Sequence, residues 1–280
     1  MALVTTKELL KDAYTNHYAI GAFGVHNLEI MKSIIAGAEA VGVPVILQTT
    51  SSTYNYIRLP YLMAMAEAAA KQATVPVALH LDHGESLNHV MECLRAGYTS
   101  VMIDGSTLPF EENIALVKRV VEVAKPIGVP VEAELGTIGG VEDDLVVDEQ
   151  LALFTDPEMA GRFVRETGID SFAPAFGTAH GAYRQTPKLQ FELLDKIRQA
   201  TDIPLVMHGA SGVPDESVKR AIRLGVSKVN FSTELKDLFA EQLRSYFIED
   251  PTENDPRKYF LPAREALTEL VEKKLRVLQG

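Results

Sequence analysis

The chain has one cysteine, Cys93, so it can form no internal disulfide, and a cytoplasmic setting is the expectation. It has no Lys/Arg-rich run, and its formal net charge is -11. That balance argues against nonspecific nucleic-acid binding, which needs a basic field. An anionic small molecule stays admissible, because backbone N–H groups and a few local cations can outweigh the global charge. No apolar stretch is long enough to cross a bilayer. The opening MALVTTKELLKDAYTNHYAIGAF lacks the basic start and apolar centre of a signal segment. Neither GxGxxG nor GxxxxGKS/T occurs, so neither NAD nor ATP is indicated.

What is plentiful is apolar side chain: 46% of 280 residues, ample for a large core. Strand-like and helix-like segments alternate along nearly the whole chain. The strand-like runs are YAIGAF (18–23), PVILQ (44–48), PVALHLD (76–82), TSVMIDG (99–105), PVEAEL (130–135), DSFAPAF (170–176), IPLVMHG (203–209) and SKVNFS (227–232). Periodic helical segments follow each, among them 28–41, about 60–73, and one between Ser86 as cap and Gly97 as stop. A long polar stretch follows PVEAEL. The eight units, with strands apolar on both faces, predict a closed (β/α)₈ TIM barrel occupying residues 1–280 as one domain. A further helix over about 262–278 is left to cover a face or cross to another subunit.

Polar chemistry gathers at one end of this alternation. His83 follows the third strand, Asp104 and Ser106 end the fourth, Glu134 ends the fifth, His180 follows the sixth, His208 ends the seventh, and Asn230 to Ser232 end the eighth. In a barrel those ends converge on one mouth, where substrates bind. Of seven histidines, His83, His180 and His208 each precede a glycine, in DHG, AHG and MHG. Three imidazoles around Zn²⁺ leave a fourth position for a substrate oxygen, and another divalent ion could substitute. The competing reading is three unrelated strand-end histidines with local hydrogen bonds. His80 and Asp82 share a strand face, and the backbone must turn for His83 to approach them. His80 reads as an interior supporting residue, His17 and His89 as structural or surface residues, and His26, in HNLE at the mouth, stays open.

The segments HLDHG, SVMIDGS, VEAELGTIGG with EDD, FGTAHGAY, VMHGASG and KVNFSTE, with DPRKYF and PAREA near the end, together resemble the class II, metal-dependent ketose-bisphosphate aldolases. The likeness spans essentially the full chain. It implies that His83, His180 and His208 bind a catalytic Zn²⁺, with Asp104 and Glu134 around an alternative metal position. Asp82 is implied as the acid/base at the C4 hydroxyl. Glu142, in GGVEDD, is implied as the loop glutamate that removes a proton from dihydroxyacetone phosphate in condensation; on its own it reads as part of a solvated acidic run. Gly181, Gly209, Ser211, Asn230, Ser232 and Thr233 are implied at the phosphate, with a monovalent cation (Na⁺ or K⁺) near Gly181. A plain helix-cap role for Ser232 or Thr233 remains compatible. Arg257 is implied at the far phosphate of a neighbouring subunit, in a homodimer or homotetramer.

The implied reaction is reversible cleavage of fructose or tagatose 1,6-bisphosphate to dihydroxyacetone phosphate and glyceraldehyde 3-phosphate, through an enediolate whose charge the metal stabilises. Alternatives are a related aldolase for another phosphorylated sugar or sugar acid, and a noncatalytic barrel binding metal or phosphate. Lys228, near the eighth strand, is the lysine that a Schiff-base mechanism would use. Three positions depart from the family pattern. Gly24 stands where many relatives have Asn, Gly105 where Ala is usual, and Ser232 where fructose enzymes often carry Asp or Asn and tagatose enzymes Ala. GTAHG and HGASG lean toward the tagatose branch, whereas HLDHG and ELGTIGG also suit the fructose branch.

Overall fold

The computed structural model describes residues 2–142, 145–147, 153–181, 183 and 186–280, with the backbone alone at 141, 142 and 145–147. Eight parallel strands close into a barrel: β1 (Ile20–Gly24), β2 (Val45–Thr49), β3 (Val77–Gly84), β4 (Ser100–Ile103), β5 (Val131–Leu135), β8 (Ser171–Pro174), β10 (Leu205–Met207) and β11 (Val226–Phe231). They follow one another around the ring in chain order, and β1 pairs with β11 to complete it. This is the TIM barrel expected from the alternation. Within the polar stretch after β5, a hairpin of β6 (Gly139–Glu142) and β7 (Leu145–Val147) joins β9 (Ala179–His180) in a separate sheet.

Around the barrel run α2 (Leu28–Val41), α4 (Leu59–Gln72), α5 (Leu87–Ala96), α6 (Phe110–Ala124), α7 (Pro157–Thr167), α8 (Phe191–Thr201), α9 (Asp215–Arg223) and α10 (Thr233–Glu249). Their ends follow local chemistry. Ser86 accepts a hydrogen bond from the His89 N–H to start α5, and Gly97 ends it in the left-handed region at φ 109°. Asp156 caps α7 at Met159 N–H, with Pro157 in the first turn, where a missing N–H costs nothing.

Three helices differ from expectation. Both α1 (Thr6–Asn16) and α3 (Ser51–Ile57) lie where no helix is read from periodicity, and α11 (Pro256–Leu278) begins before residue 262. The early start of α11 comes from Asp255, whose side chain accepts the Arg257 N–H, with Pro256 in the first turn. Helix α1 seals the end of the barrel where the strands begin. Its Leu10 and Ala13 meet Ile20, Ala22, Ile46 and Ala78 in a small apolar cluster, and its Thr6 hydroxyl donates to Ser100 Oγ at 2.9 Å. Helix α11 covers a face of this same chain, burying Ala263, Leu267, Val271, Leu275 and Leu278. At its end the Leu278 carbonyl accepts from Ala19 N–H at 3.0 Å. Among the described residues no helix is long and apolar enough to cross a membrane.

Candidate metal centre

Strand β3, VALHLDHG, is buried at every position. Alternation places His80 and Asp82 on its interior face and would send His83 outward. Two features turn His83 back. The β3–β4 register shifts between Leu81 and Gly84, and His83 itself takes φ 47°, a conformation costly for a side chain with a Cβ. A bulge of this kind re-aims one side chain without ending the strand. The glycine that follows has a different reason from a tight turn: a Cβ on Gly84 would lie 2.5 Å from the Met102 carbonyl oxygen, so β3 and β4 approach too closely for any other residue.

His180 arrives on β9, opposite Gly140 of the hairpin, and His208 directly follows β10. The His83 ring centroid lies 5.0 Å from that of His180 and 4.7 Å from that of His208, and each pair is nearly perpendicular. One nitrogen from each ring falls within 4.8 Å of the other two. The three imidazoles meet, as their strand-end positions predict.

Two carboxylates show what this meeting is suited to hold. Asp104 Oδ2 lies 2.8 Å from His83 Nδ1, and Glu132 Oε1 lies 2.9 Å from His208 Nε2. An ionised carboxylate only accepts, so each ring carries a proton on its outward nitrogen. In the neutral rings the lone pairs then lie on the inward nitrogens, His83 Nε2 and His208 Nδ1, which face each other at 3.0 Å. A cation between them relieves that opposition, and neutral imidazoles backed by carboxylates are its usual ligands. Burial, with His83 and His208 beside it, pushes His180 well below the ordinary imidazole range, which keeps it a donor of electrons. Burial opposes ionisation of Asp104, but the His83 hydrogen bond and the Ser106 N–H hold its carboxyl well below the usual range. Glu134 goes the other way, raised by burial and then by the Asp104 charge. Asp104 and Glu134 gather with His83 as a second group able to hold a metal.

Inward pairs two residues apart build two tiers beneath the mouth. In the upper tier Asn230 Nδ2 donates to Asp82 Oδ1 at 3.3 Å, while the buried Asp82 Oδ2 has no hydrogen-bond partner among the described residues. In the lower tier Lys228 Nζ donates to both oxygens of Glu132, at 3.0 and 2.9 Å, and faces His80 Nε2 at 3.2 Å. Lys228 is wholly buried in this ion pair, which is no place for an amine that must reach a substrate carbonyl. Glu132 is the residue that the sequence reading missed. VEAEL carries Glu132 and Glu134 on one face of an apolar strand, the same signal that marks His80 and Asp82.

His180, Gly181, Gly209, Ser211, Asn230, Ser232 and Thr233 line one small cavity, bringing the expected phosphate residues together. Ser232 precedes α10 without a side-chain cap bond; its hydroxyl faces His26 Nε2 at 3.4 Å. Ser211 Oγ accepts from the N–H groups of Ser232 and Glu234, both at 3.4 Å. Arg257 is not in this cluster: its side chain is 88% exposed and forks onto Asp255. Glu142 ends β6, two residues beyond the one that faces His180, and its side chain lies outside the described residues.

Residues 4–280 match the family described as fructose-bisphosphate aldolase class-II. The chain belongs to the class II fructose-bisphosphate aldolase family. A structure of the YdjI aldolase from Escherichia coli K12 is 35% identical over 99% of this chain and 97% of that one, with TM-score 0.88. A Coccidioides immitis protein, provisionally a fructose-1,6-biphosphate aldolase, is 31% identical over 97% and 94%, with TM-score 0.89. The fructose-bisphosphate aldolase of Campylobacter jejuni, 23% identical over 99% and 95% with TM-score 0.81, shares the fold.

Two departures from the class II aldolase pattern have a steric reason. A Cβ at Gly24 would lie 2.7 Å from Ser232 Oγ and 3.1 Å from His26 Nε2, so Gly24 and Ser232 are coupled and share one space. A Cβ at Gly105 would collide with Asn113 Oδ1, and Asn113 uses its Nδ2 to hold the Glu134 carbonyl at 3.0 Å.

Proposed function

We propose that this class II aldolase reversibly cleaves a ketose 1,6-bisphosphate, fructose or tagatose, into dihydroxyacetone phosphate and glyceraldehyde 3-phosphate. The observation that carries the reading is the meeting of His83, His180 and His208 beside the unpartnered Asp82 oxygen. In this reading the three imidazoles hold Zn²⁺, which supplies a Lewis acid for the carbanion-forming step. The rest is done by the chain itself.

Asn230 occupies one Asp82 oxygen, leaving the other to take the proton from the C4 hydroxyl as the C3–C4 bond breaks and to return it in condensation. Glu142 carries the second proton, to and from the carbon beside the ketone; its strand ends two residues past the partner of His180, which supports that assignment. The phosphate sits against Gly181, Gly209, Ser211, Ser232 and Thr233, where α10 begins and its N–H groups favour an anion. A monovalent cation beside Gly181 belongs to the same reading. Residues 1–280 then act as one catalytic domain.

The second reading is another phosphorylated sugar or a sugar acid as substrate of the same site. Cleavage of both 1,6-bisphosphates is measured by release of dihydroxyacetone phosphate, before and after chelation and Zn²⁺ return. The proposal expects turnover with at least one, lost on chelation and restored by the metal. Absence of turnover with both, in protein that binds Zn²⁺, refutes the bisphosphate assignment; turnover that survives chelation refutes the metal mechanism.

A further inference from the structure

Below the metal centre lies a chain of polar contacts that the reaction itself does not use. It begins at His208, whose Nε2 lies 2.9 Å from Glu132 Oε1. Glu132 is paired through both oxygens with Lys228. Lys228 faces His80 Nε2 at 3.2 Å, and His80 Nδ1 lies 2.8 Å from Ser100 Oγ. Ser100 in turn accepts from Thr6 of α1 at 2.9 Å. His80, Glu132 and Lys228 are each at most 1% exposed. Burying an ion pair in a barrel interior is expensive, and leucine-like residues would fill the space at less cost. His80, Asp82 and Glu132 also form a group whose spacing could hold a metal, yet Lys228 Nζ already stands against two of its members.

We propose that Glu132, held by Lys228, is a positioning residue: it fixes the ring orientation and tautomer of His208, so that Nδ1 presents a lone pair to the metal site. The inference rests on the metal reading of the three histidines and goes one residue deeper. Its logic is donor and acceptor counting. Lys228 supplies donors to both Glu132 oxygens, and an ammonium cannot accept. A carboxylate in that pair can only accept from His208, so the ring proton must lie on Nε2. His80 then accepts from Lys228 at Nε2 and turns its own N–H toward Ser100. Each proton in the chain has one consistent position, and the series ends on the helix that seals the far end of the barrel.

The test compares three proteins prepared metal-free: the wild type, Glu132→Gln with Lys228→Met, and Glu132→Leu with Lys228→Met. Both double variants remove the ion pair as a unit, so neither strands a buried charge; only the first keeps an acceptor for His208. Zn²⁺ affinity is measured by competition with a chromophoric chelator, and the Co²⁺ absorption spectrum reports ligand geometry. The Leu variant should bind Zn²⁺ roughly 10- to 100-fold more weakly than the Gln variant, the usual effect of removing an outer hydrogen-bond partner, with an altered Co²⁺ spectrum. The Gln variant should stay within a few-fold of wild type. Equal affinities in the two double variants overturn the proposal, whether both match the wild type or both fall below it.

A second measurement needs no variant to fold. Nitrogen-15 NMR of the His208 ring in metal-free wild type should show Nε2 protonated, and a ring bare at Nε2 overturns the proposal. Failure of the wild type to bind Zn²⁺ at all instead removes the metal reading beneath it.

Discussion

Lowering the pH from 7 to 5 should destabilise the metal-free protein through His80. That ring is wholly buried, between Ser100 and Lys228. Burial and the Lys228 charge push its pKa from 6.5 down to about 3, against the smaller opposing pull of Glu132 and Asp82. Between those values the unfolded chain binds a proton that the folded chain refuses. Stability therefore rises with pH across this window: it is fully present above 6.5 and declines on acidification toward 3. Linkage with these two values gives a loss of about 2 kcal/mol from pH 7 to pH 5. The assay is urea unfolding followed by circular dichroism, with chelator present because metal binding has its own pH dependence. His80→Gln removes the titrating ring. Its offset at pH 7 reflects lost contacts and is not used; the difference in slope is. The wild type should lose about 2 kcal/mol more than the variant over the interval. Parallel pH curves would refute the assignment of a buried neutral imidazole at this position.

Asp82→Asn should lower kcat by roughly 10²- to 10⁴-fold, the usual worth of a positioned acid/base, while bound Zn²⁺ measured by atomic absorption stays at the wild-type ratio; loss of metal in step with activity would reassign Asp82 to the ligand set. Gly24→Ala sets a methyl 2.7 Å from Ser232 Oγ and should cost about 1–3 kcal/mol of stability, as overpacking does, and raise KM. Adding Ser232→Gly should recover much of the stability but not KM, because it removes a hydroxyl from the phosphate site. A single variant with unchanged Tm and KM would show that the two positions do not share that space.

Much of the barrel is legible in the sequence because parallel strands buried on both faces are written as apolar runs, and some helices carry their own start and stop. Ser86 and Gly97 bracket α5 as the residue types demand. The three converging histidines are legible for a related reason: strand ends converge whatever their separation along the chain. What escapes depends on contacts distant in sequence. Helix α1 is short, buries only Thr6, Leu10 and Ala13, and is held in place by the cluster that Leu10 and Ala13 make with β1, β2 and β3. Glu132 escapes because a carboxylate inside an apolar strand becomes intelligible only once Lys228, 96 residues away, is seen against it. The bulge that turns His83 inward is backbone geometry, which residue type alone does not signal.

The central claim is that His83, His180 and His208 hold one divalent ion. Anomalous diffraction at the zinc edge, on crystals of protein carrying stoichiometric Zn²⁺, tests it most directly. One peak is predicted at bonding distance, about 2.0–2.1 Å, from His83 Nε2, His208 Nδ1 and a ring nitrogen of His180. A peak at any other set of side chains, with these three rings directed elsewhere, would contradict the account.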